Sequence, residues 1–329
     1  MGDCATGICN LDIISNYVAI DSASASRLYS KSKEGGNMER ISAVYRDRIM
    51  QMMGRARPGE MAITERNVRQ EANTAVLPYI DGMISDLLLG GSGVDGAENL
   101  VQLYAKAKAG SSCLLLLEHY SNFDLPVFNY LVRRDLPNGD EIADAVIAIA
   151  GMKLSETNPV VTAFSEAYSR IVIYPSRSLA SLDPEKDFAE FVRSNAINRA
   201  AMKALNKAKK EGKLILVFPA GTRFRPWEPE SRRGVREIDS YIKSFDYMCL
   251  VSINGEILKI QPGEMSEDMV EQDIVRMEAS PVIECAAFRE SAKGATPDDG
   301  DKKQAVVDAI MAKLQEMHDR NEAKRPPEL

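Results

Sequence analysis

The chain contains only two histidines, His119 and His318. His119 lies in Glu118-His119-Tyr120-Ser121-Asn122-Phe123-Asp124-Leu125-Pro126, two residues after the apolar run Leu114–Leu117. An imidazole is the side chain best suited to take a proton near neutral pH. An acid nearby can fix its tautomer and stabilise the imidazolium. A helix would put residues five apart on diverging faces, whereas a strand end running through a loop into a helix brings them together. His119 and Asp124 are therefore a candidate general base and its orienting acid. The segment has a second reading: Ser121-x-x-Asp124 is also a capping box, in which Asp124 serves only the helix N-terminus. His318 is placed in the last helix, near a charged and frayed terminus, and no chemistry is assigned to it.

A second segment, Leu214-Ile215-Leu216-Val217-Phe218-Pro219-Ala220-Gly221-Thr222-Arg223-Phe224-Arg225-Pro226, reads as a strand followed by a glycine turn. Backbone N–H groups in such a turn can point at an anion. Arg223 and Arg225 add two guanidinium forks, a geometry that matches phosphate oxygens. A solvated surface turn is the alternative. In Ile171-Val172-Ile173-Tyr174-Pro175-Ser176-Arg177, an arginine again stands just past a strand. Three strand ends thus deliver a His–Asp pair and three arginines to one sheet edge, where ligands of open α/β sheets collect.

The elements that must position them follow from the hydrophobic pattern. Short apolar runs at Cys113–Leu117, Ala145–Ala150, Ile171–Tyr174, Leu214–Phe218 and Met248–Ile253 read as buried strands, with Val282–Ala287 as a sixth candidate. Helical segments alternate with them. Asn158-Pro159 and Asp183-Pro184 are start signals, Gly212 ends the long helix that reaches Glu211, and 301–321 forms a final amphipathic helix. Alternation of this kind predicts an α/β fold with a mixed, largely parallel central sheet flanked by helices. Helical patterns at 37–54, 64–89 and 96–108 predict a smaller helical N-terminal domain ahead of it. Pro78 is expected to kink or split the second of these helices. The Gly90-Gly91-Ser92-Gly93 cluster marks a boundary, giving domains 1–95 and 96–329.

Composition narrows the function. The 329 residues carry a net charge of -7 and are 45% apolar, which excludes a broadly basic nucleic-acid binder. Five cysteines without a CxxC pair read as reduced thiols and leave no zinc site. No apolar run approaches the roughly 20 residues needed to span a bilayer. The first 15 residues lack Lys and Arg, which argues against a signal peptide. Residues 22–33 are Ser-rich like a plastid transit peptide, but Asp3, Asp12 and Asp21 count against one. Met1-Gly2-Asp3-Cys4-Ala5-Thr6 fits a myristoylation pattern. Residues 193–211 place Arg193, Arg199, Lys203, Lys207, Lys209 and Lys210 opposite an apolar face. Such a helix packs on a core with a basic side in solvent, or lies on a membrane surface.

The paired segments resemble the glycerolipid acyltransferase superfamily. Its His-x4-Asp motif is matched by His119 and Asp124, and its Phe-Pro-x-Gly-Thr-Arg motif by Phe218–Arg223. The resemblance covers about residues 110–255 and is closest to the soluble, plastid-type glycerol-3-phosphate acyltransferases. Those have an Arg-x-Arg-Pro run, as in Arg223-Phe224-Arg225-Pro226, and lack the Glu that lysophosphatidate acyltransferases carry where Ala220 stands here. They carry a basic pair after the middle strand, of which only Arg177 remains before Ser178. The resemblance implies acyl transfer from acyl-CoA or acyl carrier protein to the sn-1 hydroxyl of glycerol 3-phosphate, the first step of glycerophospholipid synthesis. His119 and Asp124 would be catalytic, and Arg177, Gly221, Thr222, Arg223 and Arg225 would hold phosphate. Lys153 is a further phosphate candidate, since family members often carry a lysine near this position. No cofactor or metal is expected. The expected location is cytoplasmic, with peripheral membrane contact. Two alternatives remain at this point: a lysophosphatidate acyltransferase, and an inactive lipid- or carrier-binding protein.

Overall fold

The computed structural model describes residues 38–57, 62–152, 159–180, 183 and 186–325. The expectations for the N-terminal 36 residues, for Lys153 and for Asn158 lie outside these residues. Strands β1 (Glu39–Arg40), β2 (Arg69–Gln70) and β3 (Gly93–Asp95) alternate with helices α1 (Ile41–Val44), α2 (Arg46–Met53), α3 (Leu77–Leu87) and α4 (Ala97–Lys108). Next come β4 (Cys113–Leu117), α5 (Asp124–Asp135), α6 (Gly139–Ala145), β5 (Val146–Gly151), α7 (Pro159–Glu166) and β6 (Arg170–Ile173). They are followed by α8 (Ser176–Ala180), α9 (Phe188–Lys210), β7 (Leu214–Val217), α10 (Ile238–Ser244) and β8 (Tyr247–Asn254). Short strands β9 (Leu258–Lys259), β10 (Met269–Val270), β11 (Arg276–Ala279) and β12 (Ile283–Glu284) precede α11 (Cys285–Gly294) and α12 (Lys302–Glu322).

The main sheet has the order β2-β6-β5-β7-β4-β8-β11-β3, with β12 beside β8. Its centre, β6-β5-β7-β4-β8, is wholly parallel. Antiparallel pairing occurs where β2, β11 and β12 are added, and β3 then pairs parallel with β11. This is the mixed, largely parallel α/β architecture that the apolar runs predict. Side chains alternate across the sheet. Leu115 and Leu117 of β4 pack with α3 to α7, whereas Leu114 and Leu116 pack with α9, α10 and α12. Burial on both faces explains why β4 is an unbroken leucine run rather than an alternating one. Cys113, Cys249 and Cys285 are free and buried, as core residues.

The first third differs from expectation. Residues 64–76 are not helical: β2 pairs with β6, and Val68 and Val76 are buried as separate anchors. Pro78 stands in the first turn of α3 and does not kink it, a place where a proline costs no hydrogen bond. The boundary expected near residue 95 falls inside a single compact unit, Glu39–Leu329, to which β2 and β3 supply strands. At the other end, the strand expected at Val282–Ala287 is only Ile283–Glu284, because α11 starts at Cys285. The long helix starts at Phe188, with Asp187 rather than Asp183 at its N-cap position.

Gly96 joins β3 to α4 with φ +68°. A Cβ there would collide with the Ala279 carbonyl oxygen of β11. Gly96→Ala is expected to lower stability by about 1–3 kcal/mol, read as a lower denaturant midpoint at unchanged slope. An unchanged midpoint would show that this turn yields without strain.

Candidate active site

β4 ends at Leu117, and the next three side chains alternate. His119 faces a cavity, whereas Glu118 and Tyr120 point to the opposite side. His119 Nδ1 lies 2.8 Å from Asp124 Oδ2. The same oxygen accepts the Tyr120 N–H at 2.5 Å and the Ser121 N–H at 2.9 Å, and Oδ1 accepts the Ser121 hydroxyl at 3.1 Å. Asp124 is the first residue of α5 and is 5% exposed. Asp124 reaches back to the Ser121 N–H as the acid of a capping box does, and it also meets the His119 imidazole. An acceptor on Nδ1 leaves Nε2 as the free basic nitrogen. Phe218, at the end of β7, stacks on the His119 ring at 3.8 Å between centroids and 16° between planes. The Phe224 N–H donates to the His119 carbonyl at 2.8 Å, tying the two motif loops together.

The cavity has a volume of about 980 Å³. His119, Phe218, Gly221, Thr222, Arg223 and Arg225 are among the residues that line it. Gly221 turns with φ +66°, and its N–H donates to the Phe218 carbonyl. Arg223 and Arg225 both reach the cavity, as their two-residue spacing predicts. Neither is a bare surface cation. Arg223 Nη1 stands 3.4 Å from Asp268, and Arg225 donates to Glu228 at 2.7 Å and to the Thr222 hydroxyl at 3.2 Å. Burial pushes the Asp268 carboxyl up to about 6, against the Gln261 N–H bond and the Arg223 charge. Arg177 falls on α8, just past β6, as the sequence places it. Its side chain and Lys153 lie outside the described residues.

Sequence reasoning missed the support behind this loop. Glu118 accepts the Ile253 N–H at 2.8 Å and the Tyr120 hydroxyl at 3.0 Å, and it faces His318 Nδ1 at 3.1 Å. The expectation of a frayed His318 is corrected, for α12 packs along β8 and Asn254 Nδ2 donates to the His318 carbonyl. Burial works against the His318 imidazolium, but the Glu118 hydrogen bond and charge outweigh it and raise its pKa above the usual value. The available signal was the alternation itself, which sends the neighbours of His119 to the side where α12 packs. Glu256 was missed as well. Burial, followed by the Asp124 charge, pushes its carboxyl up to about 7.

Fold and site define an α/β protein with a hydrogen-bonded His–Asp pair in the wall of a largely apolar cavity. A family model described as Acyltransferase matches residues 93–263, a little over half of the chain. The chain belongs to this acyltransferase family, and its activity is acyl transfer in glycerolipid synthesis. No curated protein matches the chain. Among the described residues no helix is long and apolar enough to cross a membrane.

The Glu256 shift gives a pH dependence with a definite sign. Its folded pKa, about 7, is above its ordinary 4.5. The folded protein therefore holds a proton that the unfolded chain releases, and stability is lost as pH rises through that window. His318, also raised, adds to the loss above its usual 6.5. Glu256→Gln is expected to be more stable than the parent near pH 8, by on the order of 1–3 kcal/mol, and close to it near pH 5. Thermal melts across pH measure this, and parallel curves for the two proteins would contradict it.

Proposed function

We propose that the protein transfers a fatty acyl group from acyl-CoA or acyl carrier protein to the sn-1 hydroxyl of glycerol 3-phosphate. The observation that carries this reading is the shared wall of one cavity: His119, Arg223 and Arg225 at one end, and apolar side chains beyond them. An alcohol near neutral pH is a poor nucleophile toward a thioester. His119 Nε2 takes its proton as the oxygen adds to the carbonyl, help worth about 10²–10⁴-fold. The tetrahedral intermediate collapses with loss of the thiolate, which receives the proton from His119. Asp124 holds the imidazole through Nδ1 and stabilises its cation. The substrate hydroxyl takes the place of a catalytic serine, so no acyl-enzyme forms. Arg223 and Arg225 hold the acceptor phosphate and so fix the hydroxyl beside His119. Gly221 and Thr222 shape that turn, and Arg177 and Lys153 are assigned to the same phosphate by the family resemblance. No cofactor takes part. Phe188, Phe191 and Val192 are exposed at the start of α9, which supports peripheral contact of a cytoplasmic protein with a membrane.

One observation favours a second acceptor, the 1-acyl derivative of glycerol 3-phosphate. The cavity has apolar walls on both faces of the sheet, at Ala148 and Phe164 on one and at Ala201 and Leu205 on the other. Two chains would have separate walls.

Labelled acyl thioester supplied with each acceptor separates the two. Label is expected on glycerol 3-phosphate, and His119→Ala is expected to retain less than about a tenth of kcat. Arg223→Ala and Arg225→Ala are each expected to raise the acceptor KM by roughly one to two orders of magnitude, with the donor KM nearly unchanged. If the donor KM rises instead, these arginines bind the carrier's phosphates.

A further inference from the structure

The cavity does not end in hydrocarbon. On the face shared with α7, its wall runs over Ala148, Ala150, Val161 and Phe164 to Tyr168 and Arg170. Arg170 opens β6, level with Ala148, Leu216 and Leu115 in the sheet register. His119 stands four residues beyond Leu115, so the two ends are roughly 13 Å apart along the strands. Arg170 is 5% exposed and Tyr168 6%. Among the described residues, Nε and Nη1 of Arg170 and the Tyr168 hydroxyl are buried without a hydrogen-bond partner.

These groups are out of place at the bottom of a purely apolar pocket. A buried guanidinium costs several kcal/mol unless an anion meets it. Glu166 is the carboxylate that acts on Arg170 through space, and Arg57 opposes it. Glu166 Oε2 is already engaged, accepting the Arg57 N–H and the Asn73 amide. Within the arm, the small Ala148 and Ala150 leave room for an alkyl chain running from His119 down to the cation.

We propose that Arg170 and Tyr168 form a carboxylate site at the inner end of the acyl cavity, made for an alkyl chain that ends in a carboxylate. This rests on the acyl-transfer reading for the role of the cavity, but the binding itself does not need turnover. Two sources share this chemistry: an acyl donor whose far end is a second carboxyl group, and a free fatty acid lying in the arm in the opposite sense.

The test uses the purified full chain titrated calorimetrically with decanoate and with decan-1-ol, which differ only in the head group. Decanoate is expected to bind about ten- to a hundredfold more tightly, the range for charge-assisted hydrogen bonds. Arg170→Met is expected to abolish that preference without lowering Tm, since an apolar isostere removes buried donors that lack hydrogen-bond partners among the described residues. Tyr168→Phe is expected to weaken decanoate binding severalfold. A preference that survives Arg170→Met puts the carboxylate elsewhere and overturns the proposal. So does an Arg170→Met protein that loses stability while both ligands had bound the parent equally, for the arginine would then be structural. Turnover separates the sources. Preferred use of a dicarboxylic monothioester of coenzyme A, lost in Arg170→Met, identifies the donor. Competition by decanoate against a plain acyl thioester identifies the free acid. Decanoate binding through Arg170 in a protein that transfers no acyl group would refute the proposed function and leave this site standing.

Discussion

The Asp124 carboxylate is the constraint on which the rest of the site depends. It accepts from the His119 ring, the Tyr120 and Ser121 N–H groups and the Ser121 hydroxyl. One buried charge thus closes the loop between β4 and α5, satisfies N–H groups where a helix begins, and orients the imidazole. The positive end of the α5 dipole favours a carboxylate at this position. The same atoms therefore serve the fold and the candidate site, and the His119 ring is held wherever the strand–loop–helix turn forms.

The remaining supports act on the two sides of this turn. Phe218 and the Phe224 N–H come from the loop after β7, so the two motif segments are cross-linked through His119 itself. On the reverse side, Glu118 gathers Ile253, Tyr120 and His318, coupling α12 to the His119 loop. The sheet separates these roles: period-two alternation turns His119 toward the cavity and its neighbours toward α12. Arg223 and Arg225 are not free, having Asp268 and Glu228 as resident partners.

The five central strands were legible because each is a short apolar run buried on both faces, bounded by turn residues or helices. His119, Asp124, Arg223 and Arg225 were legible because their order along the chain matches a family pattern at strand ends. The segment 64–76 misled because Val68, Ala72, Ala75 and Val76 share a helical period without forming a helix; strand pairing with β6 overrode local spacing. β11 was missed, although Val275-Arg276-Met277-Glu278-Ala279 alternates as an edge-side strand should, with Met277 and Ala279 inward. His318 and Glu256 could not be placed, since their partners lie some two hundred and one hundred and thirty residues away in the chain. Arg170 gives no sign in sequence, where an arginine opening an apolar strand looks like a solvated flank.

Because the chain has two histidines, the state of His119 can be observed directly. Nitrogen-15 NMR of histidine-labelled protein, assigned by comparison with His318→Gln, reports the tautomer of neutral His119. The expected result is a proton on Nδ1 and a bare, basic Nε2, shifting toward the other tautomer in Asp124→Asn. A neutral His119 that carries its proton on Nε2 in the parent protein would contradict the role of Asp124 and, with it, the assignment of His119 as the base.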